Sequence, residues 1–204
     1  MANACGGSLT GAVCSGGGFG WIGAGYYDSG KLQSELDTLT SMLGTPERGS
    51  GNRLEAGVGF LGWNLTKQNH GPPPSLGSTD LSPSSSALSV IDTALRAKPR
   101  SVWLSFCQSQ EELIGWSRII REREAALNGG GKMTFGKQLK LAINVGSVEE
   151  ARIACEDAGA DIIIVQGECE RASVCVHANQ LDASNANTPS LSLFVQGLKQ
   201  GDTD

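Results

Sequence analysis

The sequence predicts an α/β fold built on a parallel sheet. Three observations carry that expectation: five short apolar runs, longer amphipathic stretches between them, and a capped helix that leads straight into the last run. The runs start at Phe19 (FGWIGA), Gly57 (GVGFLGWN), Ser101 (SVWLSF), Lys140 (KLAINV) and Asp161 (DIIIVQ). Alternation of this kind is the pattern of a parallel sheet whose strands are covered by helices.

Ahead of the first run, GSLTGAVCS reads as a short helix. Gly18, Gly20 and Gly23 fit G-x-G-x-x-G, with Asp37 at a distance suited to a ribose hydroxyl. Dinucleotide binding needs those glycines on a strand-to-helix turn, whereas here they precede and enter an apolar run. They are therefore read as allowing close helix and strand packing, not as the mark of a nicotinamide-linked dehydrogenase. Leu32, Leu36, Leu39 and Leu43 recur on one helical face, and Gly44 and Pro46 stop that helix.

After the second run, residues 67–86 hold most of the prolines and many serines, the composition of a surface loop, before a helix over Ala87 to Ala97. NGGGKMTFGKQ, from Asn128, is a Gly-rich connection into the fourth run. Ser147 and Glu150 then form a capping box. Val148, Ala151, Ala154 and Cys155 give that helix a small-residue face, and Gly159 suits its C-terminal cap.

With 204 residues, 39% hydrophobic content and a net charge of −5, the chain is expected to be one soluble globular domain over 1–204. Lys and Arg are scattered, so no basic patch offers itself to nucleic acid. Neither a leader-like segment nor a membrane-length apolar run occurs, so the expectation is a cytoplasmic protein without a membrane partner. The six cysteines lack metal-site spacing and are read as free thiols, Cys169 and Cys175 near His177 included; no metal is expected. No nucleophile elbow, P-loop or HExxH is present.

The chemistry-bearing residues are amides. Asn64, Asn144 and Gln166 each stand at or near the carboxyl end of an apolar run. In a (β/α) barrel those ends converge on one mouth, where amides can bond the heteroatoms of a bound cofactor. Of the two histidines, His70 falls in the proline-rich loop, where a solvated role is expected. His177 follows the last run, where a catalytic base would belong.

Four ordered blocks, SGGGFGWIGAGYY, GVGFLGWNL, KPRSVWLSF and INVGSVEEARIACEDAGADIIIVQG, together resemble the 2-nitropropane dioxygenase family, the FMN-dependent nitronate monooxygenases, in a fungal-type version. The similarity runs from Met1 to about Gly167 and resumes at SLSLFVQGL. It implies a TIM-type barrel with FMN at the carboxyl ends of its strands, oxidising alkyl nitronates with O2 to a carbonyl compound and nitrite. It also implies that Met1 and Ala2 end the family's PMA segment beside the flavin, and that Asn64, Gln166 and Gly167 line the cofactor site.

The departures shape the expected fold. The family's first strand lies before Met1, and its AGGH loop, which carries an active-site histidine, is replaced by ECERASVCVHANQLDASNANTP. Residues 168–189 are thus a divergent active-site loop, in which His177 takes the catalytic role by position alone. Two further family strands, whose Gly-rich loops hold the FMN phosphate, follow the last residue. The expectation is an incomplete TIM-type barrel with about five of eight parallel strands. It would either keep the flavin chemistry or act as a non-catalytic fragment that self-associates or binds a partner through exposed sheet edges.

Overall fold

Rows of Ile, Val, Leu and Phe, set side by side by parallel pairing, form one wall of the core. Ile22, Val58, Val102 and Leu141 lie in register across four strands, and Phe60, Leu104, Ile143 and Ile163 form the next row. All eight are buried. Full burial of each such side chain is worth about 1.5–3 kcal/mol. The computed structural model describes residues 5–45, 52–73, 85–128 and 138–166, with the backbone of 173–177. In it these strands are β1 (Trp21–Gly23), β2 (Leu54–Leu61), β3 (Pro99–Ser105), β4 (Lys140–Val145) and β5 (Ile162–Gln166).

The sheet order β1-β2-β3-β4-β5-β6 follows the chain order, and the first five strands are parallel. Because parallel crossovers are right-handed, an order that never reverses sends every connecting helix to the same face. A doubly wound sheet reverses its order and carries helices on both. The helices bear this out by packing side by side: α1 (Gly7–Ser15) on α2 (Ser29–Leu43), α2 on α4 (Ser86–Arg96), α4 on α5 (Gln110–Asn128), and α5 on α6 (Val148–Glu156). This singly wound arrangement is an arc of (β/α) barrel, as the sequence predicts.

The second face of the sheet carries Trp21, Gly57 and Ser101 in one row, and Gly59, Trp103 and Ala142 in the next. A Cβ on Gly57 would overlap the Trp21 indole, which lies over that position. Trp21 in turn packs edge-on against Phe19 and Trp103, with ring centroids 4.6 and 6.0 Å away. Gly18 and Gly20 approach Val13 and Thr10 of α1 closely, and Gly23 ends β1. The glycine motif thus serves packing and lies on no strand-to-helix turn.

Several element ends differ from expectation. The α2 leucines Leu32, Leu36 and Leu39 are buried and Gly44 follows with φ +82°, but the start is fixed by Asp28, whose carboxylate accepts from the Lys31 N–H at 2.7 Å. A helix unforeseen in the sequence, α3 (Gly62–Gln68), begins directly after β2 and occupies the start of the region read as loop 67–86. In α6, Ile153 and Ala154 make the buried face, whereas Val148 is exposed, because the helix begins there with its first residue turned to solvent.

Within the stretch read as a loop over 168–189, β6 (Ser173–His177) pairs antiparallel with β5. The helix expected at SLSLFVQG lies outside the described residues, as do 74–84 and most of the Gly-rich connection from Asn128. Among the described residues, no helix is long and apolar enough to cross a membrane.

Candidate functional site

β3, β4 and β5 deliver their carboxyl ends to one cavity of about 520 Å³. Its apolar wall is Leu104, Leu113 and Ile153, and its polar wall is Ser105, Asn144 and Gln166. Ser105 is buried and its hydroxyl donates to the Phe60 carbonyl at 3.2 Å, tying β3 to β2 where the strands end.

The two loops that rim the cavity are built alike. In the β3–α5 loop, the Ser109 hydroxyl accepts from the Glu112 N–H at 3.2 Å, and the Glu112 carboxylate accepts from the Gln108 N–H at 2.8 Å. In the β4–α6 loop, the Ser147 hydroxyl accepts from the Glu150 N–H at 3.1 Å, and the Glu150 carboxylate accepts from the Gly146 N–H at 2.6 Å. Each is a variant of the capping box, in which the glutamate reaches one residue further back than usual. The effect is to fix both loops against the ends of their helices and so hold the cavity walls in place.

Between these loops, Asn144 Nδ2 donates to Gln166 Oε1 at 3.0 Å. The other oxygen of the pair, Asn144 Oδ1, is buried without a hydrogen-bond partner. Leaving such an acceptor unmet costs about 1–3 kcal/mol. The O and N positions of amides are set by their bonding; exchanging them in both residues leaves one spare donor and one spare acceptor as before.

Two further residues mark this mouth. Phe106, on the rim, holds a left-handed backbone with φ 54° and leaves its ring 54% exposed. An aromatic residue in that conformation is strained by about 1–3 kcal/mol. The hydrogen bond from the Trp63 N–H to its carbonyl, at 3.2 Å, helps to keep it there. Cys107 is the next lining residue, and burial, with the Glu112 charge adding, pushes its thiol up to about 12. It is therefore a neutral thiol at physiological pH, not a nucleophile. Its Sγ and Cα crowd the place a Cβ would take on Gly62, so α3 can start at that point only with glycine.

The structure brings together some of the residues singled out by sequence. Gln166 and Asn144 share the cavity. Asn64 does not join them: it lies buried in the first turn of α3, and its Nδ2 donates to the Gly25 carbonyl at 2.7 Å, anchoring the loop after β1. The backbone of His177 pairs with Ile162 at the start of β5, while Ser173 pairs with Gln166 at its finish. His177 and Gln166 thus stand at opposite ends of that strand. Met1, Ala2 and Gly167 lie outside the described residues. Next to the first two, Cys5 offers its carbonyl to the Gly23 N–H at 2.8 Å, so the chain entering α1 runs along the open edge of β1. His70 is exposed, with φ 56°.

Phe106 and Cys107 were not singled out by sequence, since neither belongs to a spaced motif. A wider hollow of about 640 Å³ lies beside α1 and α2, where Glu35 is already bonded to Lys31 at 2.5 Å and to the Gly7 N–H at 2.7 Å. Cys5, Cys14, Cys107 and Cys155 are free thiols, and among the described residues no group of three His, Cys, Asp or Glu could hold a metal.

No protein-family model matches the sequence, and no curated protein matches it. Among solved structures, FabK from Thermotoga maritima and a point mutant of it each align over 80% of this chain with 21% identity and a TM-score of 0.48. The chain spans 37% of the length of the first and 39% of the second.

Proposed function

We propose that the chain carries the flavin-ring side of an FMN-dependent oxidoreductase, with an alkyl nitronate as substrate and O2 as oxidant. The single observation that carries this reading is the bonded Asn144–Gln166 amide pair lining a cavity at the carboxyl ends of consecutive parallel strands. The four sequence blocks that resemble nitronate monooxygenases point to the same mouth.

The residues present suit the ring of FMN. Asn144 and Gln166 would bond its polar edge, and Leu104, Leu113 and Ile153 would line its apolar body. Bound FMN would supply the redox chemistry by which an alkyl nitronate and O2 give a carbonyl compound and nitrite. Ser105 and the twin capping boxes would hold the walls rigid and limit water access. Cys107, kept protonated, would present a neutral surface there. Met1, Ala2 and Gly167 are proposed as further contributors by resemblance; Asn64, bonded to the Gly25 carbonyl, and His177, at the far end of β5, are not assigned to this mouth.

The visible spectrum of the purified protein after incubation with FMN and gel filtration tests the reading. A retained, shifted flavin spectrum is expected; complete loss of FMN on the column would overturn it.

A second reading is favoured by the aromatic group Phe19, Trp21 and Trp103 on the sheet face opposite the helices. In it the chain is a non-catalytic module that self-associates or binds a partner. Sedimentation as a monomer that binds FMN would dismiss it.

A further inference from the structure

We infer that Tyr26, Trp63 and Phe106 form a rim subsite that takes an uncharged aromatic ring, so that the nitronate of the proposed reaction carries an aryl group. The inference rests on the oxidoreductase reading only in making that ring part of a substrate; the subsite itself stands or fails separately.

Topology leads to it. β1, β2 and β3 are parallel neighbours, and each is followed within a few residues by one of these aromatics: Tyr26 after Gly23, Trp63 after Leu61 and Phe106 after Ser105. Neighbouring strands lie about 4.8 Å apart, so the three positions spread over about 10 Å of the carboxyl rim. The Tyr26 and Trp63 rings meet edge to face, with centroids 5.8 Å apart. The Trp63 N–H donates to the Phe106 carbonyl at 3.2 Å, which ties that pair to the third residue. Tyr26 and Phe106 are 52% and 54% exposed, and Phe106 also lines the cavity, so the strip runs into the place where chemistry is proposed.

The chemistry of the strip selects among ligands. A sugar needs partners for its hydroxyls, but both α3 amides are engaged: Asn64 donates to the Gly25 carbonyl at 2.7 Å and Gln68 to the Tyr27 carbonyl at 3.5 Å. An anion would meet the negative faces of the rings. A compact cation is held best by rings that converge on one point, whereas these follow a line and the closest pair touch each other. A flat aryl group can lie along such a line and meet more than one ring in offset or edge-on contact.

The test titrates the full chain with naphthalene-2-methanol, with its saturated counterpart decalin-2-methanol, and with tetramethylammonium, followed by saturation-transfer NMR. The aromatic alcohol should bind about tenfold more tightly than the saturated one, the size expected when a ligand gains ring contacts with two aromatic side chains. Phe106→Gly and Tyr26→Ala should each weaken it about three- to tenfold, the loss of one such contact. Phe106→Gly removes a ring at a φ of 54°, which glycine adopts freely, so its fold should be kept.

Equal binding of the two alcohols by wild type, or tighter binding of the ammonium, overturns the aryl subsite. Undiminished binding in a folded Tyr26→Ala protein, whose altered residue lies outside the cavity, overturns it as well. If that variant fails to fold, Phe106→Gly decides. A dimer in sedimentation that Tyr26→Ala dissolves, with no binding of the aromatic alcohol, makes the strip a contact between copies and also overturns it. FMN retention on gel filtration, measured in parallel, separates the inference from the flavin reading. Retained FMN without discrimination between the alcohols removes the subsite alone. Discrimination without retained FMN removes the flavin reading alone, and the absence of both removes both.

Discussion

The two ends of the sheet treat polar groups in opposite ways. At the amino end, charge is paired, and buried or half-buried. Arg53 bonds Glu124 and the Pro99 carbonyl, Arg123 grips Asp92 through two nitrogens, and the Asp161 carboxylate accepts from Arg121, Lys140 and the Leu141 N–H. At the carboxyl end, the cavity wall holds a carbonyl with no partner, a half-buried thiol kept protonated and a strained aromatic residue. In a (β/α) architecture the first end locks the strands together and the second carries chemistry. Stability is thereby concentrated away from the site, where unsatisfied groups can be tolerated.

That contrast can be broken most sharply from the amino end. Asp92→Ala leaves the Arg123 guanidinium in a buried setting without its main counter-charge, and should cost about 3–5 kcal/mol in urea unfolding. The same substitution should leave FMN binding by the folded protein unchanged; lost binding would mean that the two ends are coupled.

Acid should act on the same end. Burial pushes the Asp161 carboxyl up, but the Leu141 N–H, Arg121 and Lys140 outweigh it and hold it below the ordinary aspartate value. A depressed folded-state value stabilises the fold above the unfolded aspartate pKa, about 3.9, and that contribution is lost as pH falls through the folded value. Stability measured by urea midpoints should therefore drop as pH falls below about 4. Asp161→Asn should flatten that slope in the same series.

At the mouth the expected effects are smaller. Ser147→Ala removes the cap of α6 and should cost about 1 kcal/mol of unfolding free energy. Because the β4–α6 loop loses one of its two fixing bonds, FMN binding should weaken as well, unlike in Asp92→Ala. Smallest of all is the effect of Cys107→Ser on stability. The informative measurement there is alkylation by iodoacetamide followed by mass spectrometry. The native Cys107 thiol, pushed up to about 12, should resist the reagent at pH 8 while an unfolded control is fully modified.

The strands were legible because apolar runs such as KLAINV and DIIIVQ can be satisfied only by burial. The α2 face was legible because Leu32, Leu36 and Leu39 repeat at helical spacing, and the α6 start because Ser147 and Glu150 stand three residues apart. α3 was missed because GWNLTKQ has no apolar period to separate it from the preceding strand, and its start depends on Cys107 closing over Gly62 from another loop. The placement of Asn64 turns on the same point: a residue one turn into a helix faces differently from one at the end of a strand. Val148 was assigned to the buried face of α6 by periodicity, which cannot see that the first turn projects past the core.

For the site, sequence marked Asn144 and Gln166 as polar groups at strand ends, but it could not show that they bond each other. That bond depends on β4 and β5 being parallel neighbours in a register that sets Asn144 beside Ile164, two residues short of Gln166. Phe106 and Cys107 carried no signal, since an exposed phenylalanine and a lone cysteine acquire meaning only from backbone conformation and burial. Sequence by itself determined which segments must be buried, which helices are capped, and which strand ends carry amides, because these are local matters of hydrophobicity and hydrogen-bond chemistry. Only the tertiary structure decided which amide is left unsatisfied, which thiol is protonated and which end of the sheet bears the cavity, because each depends on what distant segments place beside it.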